Sequence, residues 1–247
     1  TLDEPDFASI CLLTKRARQL KEMVRLDRLA VTDLTLGDFL QRRALLFPDK
    51  PALIYPLREL TISFAELHAQ AGQVAAALLA IGMQPGEHAA IWAPNVPEYL
   101  AVEFGAARVG VPLVMINTNY KAFELEYALG QSDTVLLFMA DGAARPGEYI
   151  ETLQQVRSRL PKLRQVVLFG ESPAADILPW RQFLAGAATV TAVNLAQRQA
   201  QVKPDDIFTL QYTSGTTGAP KGAMVNHFAY LRNPLAMAER QGLRSDD

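Results

Sequence analysis

Between His88 and Phe169 the sequence alternates short apolar runs with longer amphipathic ones, and few folds accommodate that order. His88–Ala93, Pro112–Ile116, Thr134–Met139 and Gln165–Phe169 read as strands. Between them lie helical stretches from Pro97 to about Val109, Ala122 to Leu129 and Tyr149 to Leu160. Pro97 suits the start of its helix and Gly110 the stop. The strands are apolar throughout, as strands buried on both faces should be. Strands separated by helices of this length imply right-handed βαβ crossovers. The predicted class is α/β, with a mostly parallel sheet flanked by helices.

The flanking regions are simpler. Residues 8 to 29 read as a helix, with Leu13, Ala17, Leu20 and Val24 on one face and a basic face opposite. Acidic Glu22 and Asp27 interrupt that basic face, so it reads as solvated. Leu36 to Leu46 is a second helix, ended before Pro48. Ala52–Tyr55 and Leu60–Ile62 flank a turn and read as a hairpin. Ser63-Phe64-Ala65-Glu66 is a capping box that starts a helix closed by Gly82, with His68 on its exposed side. From about 170 to 204 the alternation breaks, and only a short helix near Trp180–Leu184 is expected. Three regions are predicted: an extension over 1–34, an α/β subdomain over 35–200, and from 201–247 the start of a second subdomain.

Composition excludes several function classes. The 247 residues are 49% hydrophobic and 20% charged, enough for a core and no case for disorder. A net charge of −2 gives no support for a nucleic-acid partner. Cys11 is the only cysteine, so no intramolecular disulfide can form, and a reducing, cytoplasmic setting is expected. His68, His88 and His227 are too scattered for a zinc site, and no metal ligands are assigned. No apolar run reaches the roughly 18 residues of a membrane span. The first residue is not Met and the last follow directly on a helical pattern, so both ends read as cuts in something longer.

The chemistry is concentrated in Tyr212-Thr213-Ser214-Gly215-Thr216-Thr217-Gly218-Ala219-Pro220-Lys221-Gly222. Glycines let several backbone N–H groups point into one concavity, which attracts anions. Thr213, Ser214, Thr216 and Thr217 add hydroxyl donors, and Lys221 adds a full positive charge. This is not the common P-loop, because Pro220 precedes Lys221 and Gly222 follows it, with no Ser or Thr placed to hold magnesium. Ile207–Tyr212 before the loop reads as a strand and Ala223–Val225 after it is short and apolar, so the loop is placed in a wide hairpin. A helix is expected from about Phe228 to Arg240, with Asn226 or His227 near its start and Gly242 near its stop.

This stretch resembles the phosphate-binding signature of the adenylate-forming superfamily, [YF]-T-S-G-[ST]-T-G-x-P-K-G, often closed by a His such as His227. Phe47–Ala52, Asn95–Tyr99 and Gly105–Gly110 are similar to further landmarks of acyl-CoA synthetases. Ile116-Asn117-Thr118-Asn119-Tyr120 is similar to the fatty-acyl-CoA ligase branch, whereas adenylation domains more often carry a Leu-Asp-Pro turn there. The resemblance covers about residues 35 to 247.

It implies a two-step reaction. A carboxylate, a fatty acid in this branch, attacks the α-phosphate of ATP to give acyl-AMP and pyrophosphate, and coenzyme A then displaces AMP. On that resemblance Gly215, Gly218 and Gly222 shape the loop, and Thr213, Ser214, Thr216 and Thr217 donate to phosphate oxygens. Lys221 and Thr217 are the expected catalytic residues, with Mg²⁺ bridging the phosphates. His227 either satisfies a backbone group at the helix start or takes part in catalysis. The family's adenine and ribose segments, its coenzyme A site and its lysine-bearing C-terminal domain follow this loop and do not occur in these residues. The chain is therefore expected to bind ATP phosphates but not to complete the reaction. An aryl-CoA ligase, an adenylation domain, or a short non-catalytic nucleotide-binding module remain as other readings. Oligomeric state is not legible.

Overall fold

The computed structural model of the chain describes residues 33–171, 174–213 and 220–243. Helix α1 (Leu36–Leu46) opens with a capping box in which Asp38 N donates to the Thr35 hydroxyl at 3.1 Å and Thr35 N donates to the Asp38 carboxylate at 3.2 Å. Strands β1 (Pro51–Tyr55) and β2 (Leu60–Ser63) pair as an antiparallel hairpin. Ser63 and Glu66 repeat the capping box at the start of α2 (Phe64–Ala80). The expected alternation follows: β3 (Ala89–Trp92), α3 (Pro97–Arg108), β4 (Leu113–Met115), α4 (Ala122–Gln131), β5 (Leu136–Met139), α5 (Glu148–Val156) and β6 (Gln165–Leu168). Then come β7 (Leu178–Pro179), α6 (Trp180–Ala185), α7 (Ala192–Gln199), β8 (Ile207–Thr213), β9 (Lys221–Asn226) and α8 (His227–Gln241).

Seven strands make one sheet in the order β7-β6-β5-β3-β4-β8-β9, parallel except for β9. The chain leaves β3 toward β4, then crosses back over β3 to lay down β5, β6 and β7 on the other side. The central strands are buried along their whole length: Ala89 to Trp92 and Leu136 to Met139 have almost no exposed surface. Burying each such Leu or Phe side chain contributes about 1.5–3 kcal/mol. β8 is hydrogen bonded to β4, so the sheet is continuous across the boundary expected at residue 200.

Helices α2 and α3 pack on each other with α1, α6 and α7 nearby, while α4 and α5 pack together. The α2–α3 contact is close because Gly105 has no side chain: a Cβ there would stand 2.7 Å from Val74 Cβ and 3.0 Å from Ala71 O. Arg108 braces the same layer, its Nε donating to Gln199 Oε1 at 3.1 Å and its Nη1 to His68 O at 3.3 Å.

Three expectations need correction or placing. Residues 170 to 204 hold more than one short helix: β7 joins the sheet edge and α7 is capped by Thr191, whose hydroxyl accepts from Asn194 N at 3.2 Å. Helix α7 buries no residue fully, but it is only eight residues long and its apolar side, with Leu195 against the core, is too brief to stand out in the sequence. His68 is half-buried rather than exposed, and its Nε2 lies inside without a hydrogen-bond partner among the described residues. Burial, with Arg108 adding to it, holds the His68 imidazole below its ordinary pKa. The helix expected over residues 8 to 29, with Cys11, lies outside the described residues.

Candidate phosphate-binding hairpin

Strand β8 runs parallel to β4 with Leu113 beside Thr209 and Met115 beside Gln211, and the buried Thr209 hydroxyl donates to Leu113 O at 2.8 Å. β8 therefore leaves the sheet at the carboxyl ends of the parallel strands, where open α/β sheets present ligand sites. β9 returns antiparallel, pairing Tyr212 with Gly222 and Thr213 with Lys221. The hairpin expected from the sequence is thus present, and its last pair is two proposed site residues. Thr213 Oγ1 donates to Lys221 O at 3.4 Å, and both residues are exposed. Ser214, Gly215, Thr216, Thr217 and Gly218 lie outside the described residues.

The stem beneath that pair is tightly seated. A Cβ on Gly222 would come within 3.4 Å of the Tyr212 ring. The Tyr212 hydroxyl donates to Ala128 O at 3.0 Å, with the Gln131 side-chain oxygen sharing the proton. Burial raises this phenol above its ordinary pKa, so the donor keeps its proton.

The crevice between β3 and β5, where the chain reverses direction across the sheet, is filled by side chains. Trp92 stacks on Tyr149 with ring centroids 3.8 Å apart and planes 9° from parallel. Their polar atoms hold two consecutive carbonyls of the turn after β4: Trp92 Nε1 donates to Asn117 O at 3.2 Å and the Tyr149 hydroxyl to Thr118 O at 3.2 Å.

At the far end of β9, Asn226 caps α8 by accepting from Ala229 N at 2.9 Å. His227 follows, 1% exposed, with Nδ1 accepting from Leu36 N at 3.2 Å and its ring 5.3 Å from that of Phe208. Burial pushes its pKa down to about 4, so the imidazole is neutral at pH 7. Of its two readings, the structure gives His227 a backbone group to satisfy. One turn on, Tyr230 donates to Glu103 Oε1 at 2.7 Å, and burial raises the carboxyl of Glu103 above the usual carboxylate range.

Residues 40–247 match the family of AMP-binding enzymes. The chain belongs to that family. Similarity extends to named members. A Bacillus subtilis (strain 168) protein, YngI, whose name places it among acyl-CoA synthetases, is 36% identical over 225 residues, 86% of this chain and 41% of that protein. The mitochondrial medium-chain acyl-CoA ligase ACSF2 of Bos taurus is 28% identical over 86% of this chain and 36% of its own length. Among solved structures, the anthranilate CoA ligase AuaEII in complex with anthranoyl-AMP superposes with a TM-score of 0.69 at 30% identity, over 79% of this chain and 35% of that one. The chain thus spans about two fifths of the length of the curated relatives it matches.

For a member of this family, the fit of Mg²⁺ follows from the donor set. No carboxylate lies between Tyr212 and Gly222, and Thr213 and Lys221 offer a hydroxyl and an ammonium. Mg²⁺, a hard ion that prefers oxygen, suits these residues as an ion carried by nucleotide phosphates. Among the described residues no group of three His, Cys, Asp or Glu side chains could hold a metal. No described helix is long and apolar enough to cross a membrane. The sequence reading missed the work of Trp92, Tyr149, Tyr212 and Glu103. Only Tyr212 carried a signal, as the first residue of the phosphate signature.

Proposed function

We propose that this chain supplies the phosphate-holding part of an ATP-dependent, AMP-forming acyl-CoA ligase. The observation that carries the reading is the cross-strand pair Thr213–Lys221, exposed at the mouth of a hairpin at the carboxyl end of a parallel sheet. A hairpin whose open end holds four Ser/Thr hydroxyls, two glycines and a lysine is suited to polyphosphate. In the first step a carboxylate oxygen bonds to the α-phosphorus of ATP and the bond to the β-phosphate oxygen breaks, giving acyl-AMP and pyrophosphate. Negative charge grows on the departing phosphates. Lys221, Thr217 and the loop N–H groups would stabilise it. In the second step the coenzyme A thiol takes the acyl group, loses its proton and releases AMP. Mg²⁺ carried by the nucleotide would supply further positive charge to its phosphate oxygens, beside the ammonium of Lys221.

The acid is read as a fatty acid because Asn117 and its neighbours follow that branch. The 30% identity with an anthranilate CoA ligase supports an aryl acid as the second reading. Coenzyme A is assigned to parts of the protein outside these residues, and a cytoplasmic setting suits the single cysteine.

The test is calorimetric titration of the 247-residue chain with Mg·ATP, beside Lys221→Ala. Affinity should fall at least about tenfold on losing a charged phosphate contact. Equal affinity in the two proteins would remove this loop from nucleotide binding. Acyl-AMP formation by the chain alone would overturn the view that it holds only part of the machinery.

A further inference from the structure

The stem decides where Thr213 and Lys221 stand at the mouth of the hairpin. Tyr212 is a stem residue that touches both strands of the hairpin and a helix outside it. Its backbone pairs with Gly222, its ring covers the place where a Gly222 side chain would be, and its hydroxyl reaches Ala128 O and Gln131. Those acceptors are at the carboxyl end of α4, a fixed reference. The turn leading into α4 is held by Trp92 and Tyr149 through Asn117 O and Thr118 O, and by Tyr120 N on Asn117 O at 3.1 Å. Its other end is held by Ser132, whose hydroxyl donates to Ala128 O at 2.6 Å and meets Thr134 Oγ1 at 2.8 Å. The segment carrying the helix is thus tied to β3 and α5, and Tyr212 ties the hairpin to the helix.

We infer that Tyr212 is a positioning residue for the phosphate loop, its hydroxyl locking the hairpin stem onto the end of α4 and so setting where Thr213 and Lys221 stand. The inference rests on the proposed phosphate role of the loop. The signature accepts either Tyr or Phe at this position, so the ring alone can build the motif and the hydroxyl is free to serve a separate purpose. Without the hydroxyl's bond the Thr213–Lys221 pair would still form, but the end of the hairpin beyond Gln211, where pairing with β4 stops, would lose its tie to α4.

The test compares the 247-residue chain with Tyr212→Phe, by backbone hydrogen exchange and by calorimetric titration with magnesium pyrophosphate. Losing one partly buried hydrogen bond should speed exchange over Tyr212–Val225 about tenfold and weaken pyrophosphate by a similar factor. Exchange in β3 and β5 should not change. Gln131→Leu, which removes one acceptor and keeps Ala128 O, should give a smaller effect of the same kind. Unchanged local exchange overturns the inference. Faster exchange throughout the chain, or faster local exchange with affinity within about twofold of the parent, also overturns it and leaves Tyr212 a merely structural residue. If the parent chain has no affinity for pyrophosphate, the phosphate reading fails and takes this inference with it.

Discussion

The imidazole of His227 accepts a hydrogen bond from the backbone N–H of Leu36, 191 residues earlier, and both groups are buried. The chain that returns from the phosphate loop is thereby fastened to the first turn of α1. Protonating His227 would break this bond, since Nδ1 would become a donor facing a donor. Burial holds its folded pKa at about 4 against an ordinary 6.5. Between those values the unfolded chain binds the proton and the folded chain does not, so stability rises with pH. The contribution is complete above about pH 6.5 and is lost as pH falls toward 4. At about 1.4 kcal/mol per unit, it amounts to about 3 kcal/mol. Urea unfolding of the parent and His227→Gln from pH 7.5 to 4 should show the parent losing stability more steeply. Parallel curves would contradict the buried neutral imidazole.

Glu103 predicts the opposite slope. Its carboxyl is 6% exposed, and burial raises its folded pKa, an effect partly offset by the Tyr230 hydrogen bond. The unfolded chain ionises first as pH rises, so this group's contribution falls from the ordinary carboxylate range upward. Glu103→Gln keeps an oxygen for Tyr230 and removes the ionisation. The variant should be more stable than the parent at pH 8, and the gap should close toward pH 4. A gap of constant size would show that shape, not charge, decides.

Gly105→Ala tests how closely α2 and α3 approach. The new Cβ would stand 2.7 Å from Val74 and 3.0 Å from a backbone oxygen, so the helices have to part. Overpacking of this kind costs about 1–3 kcal/mol, readable as a lower urea midpoint. Unchanged stability would mean the two helices slide freely.

Tyr149→Phe keeps the stack on Trp92 and removes the donor to Thr118 O. Leaving that carbonyl unpaired should cost about 1 kcal/mol. Trp92 fluorescence should change little, because its own bond to Asn117 O is untouched. A loss of several kcal/mol would mean that the hydroxyl also supports the stack.

What was legible in the sequence was whatever local chemistry dictates. The capping box at Ser63–Glu66, the apolar strands β3 and β5, and the hairpin around the phosphate signature each follow from residues near one another in the chain. Helix α7 was not legible because it is short and much of its support comes from afar: Leu195 meets the core, and Arg198 donates to Val109 O at 2.9 Å and to Met83 O at 2.8 Å. His68 was placed outside because its helix face looked polar. Arg108 and the packing of α3 cover it, a contact no window of sequence around His68 contains. The partners of Tyr212 and His227 were hidden for the same reason, since Ala128 and Leu36 lie far off in sequence.

The strand order also has a kinetic meaning. β3 to β6 are laid down by neighbouring crossovers, each closing a modest span of chain, while seating β8 on β4 brings together residues 96 apart. Loop-closure entropy and contact order both make that the slow pairing. The hairpin that carries Thr213 and Lys221 is therefore expected to dock late, onto a platform of strands laid down before it.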